Sequence, residues 1–240
     1  MINSDPQQVW QNDRATRPSV AFIVLAFVLL IGVAFGAAAL FGSIGVPVAM
    51  FVVISATALR GLILTYPHSV LGSCNSVTLA RAAMISVLAG AVLEPGAAPW
   101  IVFVIASVAF AMDGLDGWLA RRSGLSSAFG ARFDMETDAV LGALLALILL
   151  SNGRAGSEVL VLGFTRYVFV AASIVIPKLG GALPESFRRK AVCVVQIAAL
   201  IILLCPLTPA ALLWPISVSA ALLLLWSFAI DIRWLFRERK

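Results

Sequence analysis

Charge is what this sequence has least of. Only 12% of its 240 residues are Asp, Glu, Lys or Arg, whereas soluble domains carry about 25%, so a soluble globular fold is excluded. Three cysteines, Cys74, Cys193 and Cys205, lie in or near apolar stretches without CxxC spacing, which excludes a disulfide framework and a zinc site. The one histidine, His68, stands in the loop sequence LTYPHSV and reads as structural. No basic stripe interleaved with aromatics occurs, so the net charge of +5 does not point to nucleic acid. Internal repeats and low-complexity tracts are also missing.

What the chain has in abundance is apolar length. Hydrophobic residues make up 61% of it, and the mean hydropathy is +1.03. A bilayer span needs about 20 predominantly apolar residues, and a helical bundle satisfies its backbone polar groups without water. The pattern predicts an all-α, polytopic transmembrane bundle of eight segments, near 19–41, 43–59, 76–93, 98–118, 128–150, 157–177, 188–205 and 208–230. Breaks fall at EPGAAP, SNGRAGS, PKLGGALP and CPLTP. The first run exceeds the roughly 7–15 residues of a signal-peptide core and reads as a retained span. Between the second and third segments, the Pro67-broken stretch 59–74 reads as an interfacial helix in the headgroup plane or as an ordinary loop.

The basic residues orient the bundle. With the N-terminus in the cytoplasm, all 17 Lys and Arg residues fall on the cytoplasmic side except Arg154, on the other face, and Arg166, inside a span. Trp10, Trp100, Trp118, Trp214, Trp226 and Trp234 mostly lie near segment ends, where aromatic belts form. Asp231 and Arg233 read as interfacial anchors at the end of the last segment.

Against this background the stretch DGLDGWLARRSGLSSAFGARFDMETD, residues 113 to 138, holds five of the twelve acids. Asp113 and Asp116 are three apart and share a face at the cytoplasmic end of the fourth segment; Asp134 and Asp138, four apart, share one at the start of the fifth. The short link RRSGLSS makes the two segments antiparallel neighbours, so the four carboxylates converge. Each is costly within a membrane if left alone, and together they repel unless a positive charge sits among them. Hard oxygen donors without His or Cys favour Mg²⁺ or Mn²⁺. Glu136, two residues from each of Asp134 and Asp138, falls on the opposite side of its helix. Gly114, Gly117 and Gly130 strip side chains beside the carboxylates, for helix packing or to admit a bulky ligand; two of them stand in a DGxDG frame, which favours the ligand.

These residues resemble the signature of the CDP-alcohol phosphotransferase family, D-x-x-D-G-x-x-A-R-x8-G-x-x-x-D-x-x-x-D. Asp113, Asp116, Gly117, Ala120, Arg121, Gly130, Asp134 and Asp138 fill all eight specified positions. The resemblance implies a six-helix core over roughly residues 60 to 230, preceded by two added helices. The chain is thereby expected to divide into 1–59 and 60–240, the latter ending in a cytoplasmic tail. It further implies transfer of a substituted phosphate from a CDP-linked lipid, such as CDP-diacylglycerol, to a small polar alcohol, with release of CMP. Asp113, Asp116 and Asp134 take the metal-binding role, and Asp138 the general-base role with contact to a second metal. The start CNSVTLARAAM is similar to the family's N-x-x-T-x-x-R helix, so Asn75, Thr78 and Arg81 are expected beside the nucleotide, with Gly117, Ala120, Arg121 and Gly130. Cys74 replaces the proline that often precedes that asparagine. Homodimers are usual in the family.

The acceptor is read from basic residues. Arg166 lies about 15 Å deep by helical rise and must face an anion inside the bundle, either a carboxylate such as Asp138 or Glu136 or a phosphate on the acceptor. Arg132 stands at the cavity mouth, and Arg188, Arg189 and Lys190 crowd a helix start, where positive-inside bias is the competing explanation. A phosphate clamp would rank glycerol 3-phosphate or inositol phosphate above serine or choline. The rival class is a cation- or proton-coupled transporter using the aspartates, which predicts inverted repeats and a midplane site.

Overall fold

The structure is a computed structural model that describes residues 6–96, 98–123, 125–181, 183–184 and 186–238, with the backbone alone at 6–17, 115–123 and 238. Its helices are α1 (Pro6–Phe41), α2 (Gly45–Thr65), α3 (Ser73–Leu88), the single turn α4 (Gly90–Leu93), α5 (Pro99–Ser123), α6 (Ala128–Ser151), α7 (Val159–Val175), α8 (Phe187–Leu204) and α9 (Ala210–Glu238), with a 3₁₀ turn at Pro177–Gly180. No strand occurs among the described residues. Each of the eight apolar segments is a helix. Among the described residues, four spans are long and apolar enough to cross a bilayer: Pro18–Phe41, Gly45–Thr65, Ser73–Leu93 and Ala210–Arg237.

Residues 59–74 do not form a separate surface helix. The end of α2 runs through Thr65 and stops because Pro67 forces the residue before it out of helical space. Tyr66 accordingly sits at φ −80°, ψ 121°. A loop follows as far as Gly72, whose φ of +72° is left-handed. A Cβ there would also lie 3.2 Å from Leu125 Cδ1, but it is the left-handed backbone that favours glycine.

Packing divides the chain into two compact units. One unit joins the chain up to Gly90 with Ser107–Asp138; the other joins Ala91–Ala106 with the chain from Ala139 onward. In the first unit α1 packs on α2 and α3, and α2 on α3. Their core includes Phe22, Val33, Phe51, Leu62, Leu79 and Ala82, closed by Phe129 and Phe133 of α6. At Gly90 the ring of Phe41 comes so close that a Cβ would lie 2.8 Å from it. Helix α3 is the inner member: 61% of its apolar window is buried, against 17% for α1 and for α2. The outer side of α1 exposes Val24, Phe27, Ile31 and Phe35, an apolar face too continuous for a water-facing surface.

In the second unit α8 and α7 pack on α9, and the 3₁₀ turn packs on both α7 and α9. Arg154, the basic residue set apart on the other face, donates from Nε to the carbonyl of Leu203 and from Nη2 to that of Cys205, both at 2.9 Å. It thereby satisfies carbonyls at the end of α8 that the helix itself leaves open. Gly163 marks the tightest crossing: a Cβ on it would lie 2.7 Å from the Cβ of Ala146 and 3.0 Å from the Cα of Ala143. Gly163→Ala should therefore destabilise by about 1–3 kcal/mol, the usual cost of overpacking. Gly32→Ala, where a Cβ meets nothing within 4 Å, should leave the melting temperature unchanged or slightly raised. Thermal unfolding of both variants in one detergent checks the contrast.

Candidate active site

The first unit holds the acidic stretch. Asp113 comes from α5, and Asp134 and Asp138 come from α6, where four-residue spacing stacks them on one face. One carboxylate oxygen of each lies within 4.8 Å of the others. The expected convergence is therefore present for these three. The side chains of Asp116, Gly117, Ala120 and Arg121 lie outside the described residues.

Arg81 of α3 reaches into this group from below. Its Nη1 donates to Asp113 Oδ1 at 3.1 Å and to Asp134 Oδ1 at 2.6 Å, and its Nη2 donates to Asp138 Oδ1. Its Nε is held by the carbonyl of Ala109 at 3.1 Å. The arginine side chain is fully buried, while the three carboxylates remain 30%, 36% and 37% exposed. One buried guanidinium thus supplies positive charge among acids that themselves remain partly accessible. The donor set is all carboxylate oxygen, which suits a hard divalent cation; Asp113, Asp134 and Asp138 could hold one.

The other two residues of the α3 start are tied into the scaffold. Asn75 is buried and donates from Nδ2 to the carbonyl of Leu71 at 2.8 Å. Thr78, also buried, donates from its hydroxyl to the carbonyl of Cys74 at 3.0 Å. The glycines separate by environment. A Cβ on Gly130 would lie 3.0 Å from Asn75 Oδ1 and 3.3 Å from Ser127 Oγ, so this position permits close approach of α3 and α6. Among the described residues, a Cβ on Gly114 would meet nothing within 4 Å.

Several supporting groups were not picked out by the sequence. Ser127 accepts the N–H of Gly130 at 3.0 Å and so caps the start of α6; a serine just before an apolar run is the signal that marks it. Tyr66 donates its hydroxyl to the carbonyls of Val70 and Leu71, each at 2.9 Å, and meets the Phe129 ring edge-on at 5.7 Å. Burial pushes the pKa of this hydroxyl up, with Cys74 adding to the rise and the Asn75 hydrogen bond opposing it. His68 lies edge-on to Tyr66, and its Nε2 is 3.4 Å from the carbonyl oxygen of Ser126. The loop before α3 is thus fastened to the start of α6, the helix that carries two of the three aspartates.

The family model for CDP-alcohol phosphatidyltransferase matches residues 71–230. The chain belongs to the CDP-alcohol phosphatidyltransferase family. It is a membrane-embedded transferase of phospholipid biosynthesis, and helices α1 and α2 precede the matched region. Three of its signature aspartates, Asp113, Asp134 and Asp138, are the ones that the fold gathers around Arg81.

The basic residues considered for an acceptor are spread over both units. Arg132 is exposed on α6 in the first unit. In the second unit Arg166 lies half-buried within α7. At the start of α8, Arg188 donates to Asp231 and to the carbonyl and hydroxyl of Ser227, and its guanidinium lies 5.9 Å from the Trp226 ring centroid. Arg189 donates to the Pro184 carbonyl and lies 3.6 Å from Asp231. Asp231, expected as an interfacial anchor, is instead buried and joins α9 to the start of α8. A charge left alone there by truncation is costly: Asp231→Ala should lower stability by about 3 kcal/mol. Arg188→Ala should cost a similar amount, and the double variant little more than either, which a double-mutant cycle of unfolding free energies reads directly.

Proposed function

We propose that this chain transfers a phosphatidyl group from a CDP-linked lipid such as CDP-diacylglycerol to a small alcohol, with release of CMP, at a divalent-metal site facing the cytoplasm. The observation that carries the reading is the meeting of Asp113, Asp134 and Asp138 from two helices around one small volume, at the spacing of the family signature. The membrane location of the helices suits a donor whose acyl chains stay in lipid while its head group reaches a polar pocket. The cytoplasmic placement of that pocket rests on the distribution of Lys and Arg along the chain.

In this reading Asp113, Asp116 and Asp134 hold Mg²⁺ or Mn²⁺, with Asp138 able to touch a second ion. What a bound metal supplies there is neutralisation of the donor's pyrophosphate and of the charge that grows on departing CMP. The residues do the rest by position. Asn75, Thr78 and Gly130, with Gly117, Ala120 and Arg121, line the nucleotide side, and Gly114, without a side chain, admits its bulk. Asp138 accepts the proton of the acceptor hydroxyl as that oxygen bonds to the phosphatidyl phosphorus and the bond from phosphorus to the CMP oxygen breaks. Its contribution to catalysis comes from its placement beside the acceptor hydroxyl. Arg132, Arg166, Arg189 and Lys190, with Arg188 if its bond to Asp231 opens, are the candidates for an acceptor that itself carries phosphate. Glycerol 3-phosphate and inositol phosphate are the favoured acceptors on that basis.

The test is CMP release by purified protein supplied with CDP-diacylglycerol, Mg²⁺ or Mn²⁺ and a panel of acceptors. Release should require the metal, stop with chelator and return on adding Mn²⁺. Asp138→Asn should lower turnover by about 10²–10⁴-fold, the span of a general base, while Mn²⁺ binding persists. An unchanged rate in that variant would remove Asp138 from the base role. Absence of metal-dependent CMP with every acceptor would overturn the reading.

A further inference from the structure

Arg81 stands out because its placement does not match a nucleotide ligand. An arginine that grips a bound phosphate needs its donors turned toward open space. Here the side chain is fully buried and donates to protein oxygens: Nε to the Ala109 carbonyl, Nη1 to Asp113 and Asp134, and Nη2 to Asp138. Its planar fork is suited to this, since several hydrogen bonds are made from one rigid group. The carboxylates it bridges come from α5 and α6, and the arginine comes from α3. All three helices of the site are joined through a single cation.

We propose that Arg81 is a positioning residue, the resident counter-cation that assembles the carboxylate site before any metal arrives. The proposal rests on the reading of that cluster as the metal centre. Carboxylates this close repel one another in a water-poor setting unless a positive charge sits among them. Arg81 supplies that charge, and the same carboxylates, partly exposed, stay available to a divalent ion. The division explains how the site stays formed between turnovers, when no metal or substrate neutralises it. It also removes Arg81 from the set of groups that contact the nucleotide.

The test is made on metal-free protein in chelator, by thermal unfolding. In the wild-type background Asp134→Asn removes an ion pair and should lower the melting temperature. In the Arg81→Met background the same substitution should raise it, because it now relieves repulsion among acids that have lost their counter-charge. Arg81→Lys keeps the charge with poorer geometry; there Asp134→Asn should again lower the melting temperature, less than in wild type, and this variant carries the test if Arg81→Met does not fold. A lowering of equal size in all three backgrounds would show that Arg81 acts as packing alone and would overturn the proposal. Mn²⁺ added to wild-type protein separates the two readings. No shift in melting temperature with Mn²⁺ counts against the metal site, whereas the reversal of sign in chelator is decided without any metal.

Discussion

The contact between one buried guanidinium and three carboxylates sets the terms for the first unit of this protein. An arginine withdrawn from water costs several kcal/mol unless its charge and its donors are met. The aspartates carry the same difficulty with opposite sign. Each makes the other tolerable, and their meeting dictates which helix lies inside. Arg81 is fully buried only because α3 is the inner helix, shielded by α1 and α2. Gly90 and Gly130 let neighbours come close enough to hold it there, against Phe41 and Asn75 respectively.

The rest of that unit keeps the loops short and fastened. Pro67 ends α2 at a defined point, Gly72 turns the chain through a left-handed residue, and Tyr66 ties down the intervening backbone. Ser127 caps α6 immediately before the signature glycine. Carboxylates that serve a metal must be held to within a fraction of an ångström. The stiff local chemistry of these turns serves that end better than loop flexibility would.

Much of this was legible from the residues. Apolar runs of span length gave the helical bundle, because hydropathy and helix length are both local properties of the chain. The convergence of Asp113, Asp134 and Asp138 followed from helical spacing and a short link. Arg81 was harder: its motif led to the nucleotide side, and its carboxylate partners lie 32, 53 and 57 residues away. The ion pair of Arg188 with Asp231, 43 residues apart, was hidden for the same reason. Residues 59–74 stayed open between a surface helix and a loop because an apolar stretch broken by a proline suits either. The backbone preference of the residue before Pro67 was the signal to weigh more heavily.

The two charge clusters also bear on what remains available for recognition. A guanidinium already bonded to a buried carboxylate must give up that bond before it can hold a phosphate. Arg188 has Asp231, Ser227 and the face of Trp226 around it, so its positive charge is largely spent on joining α8 to α9. Arg81 is spent likewise on α5 and α6. The surplus of positive charge that marks the sequence is therefore not a pool of equivalent anion receptors. Part of it is structural charge, placed where helices in an apolar medium need a fixed polar joint, and that use follows from the cost of leaving any ion unpaired inside a membrane bundle.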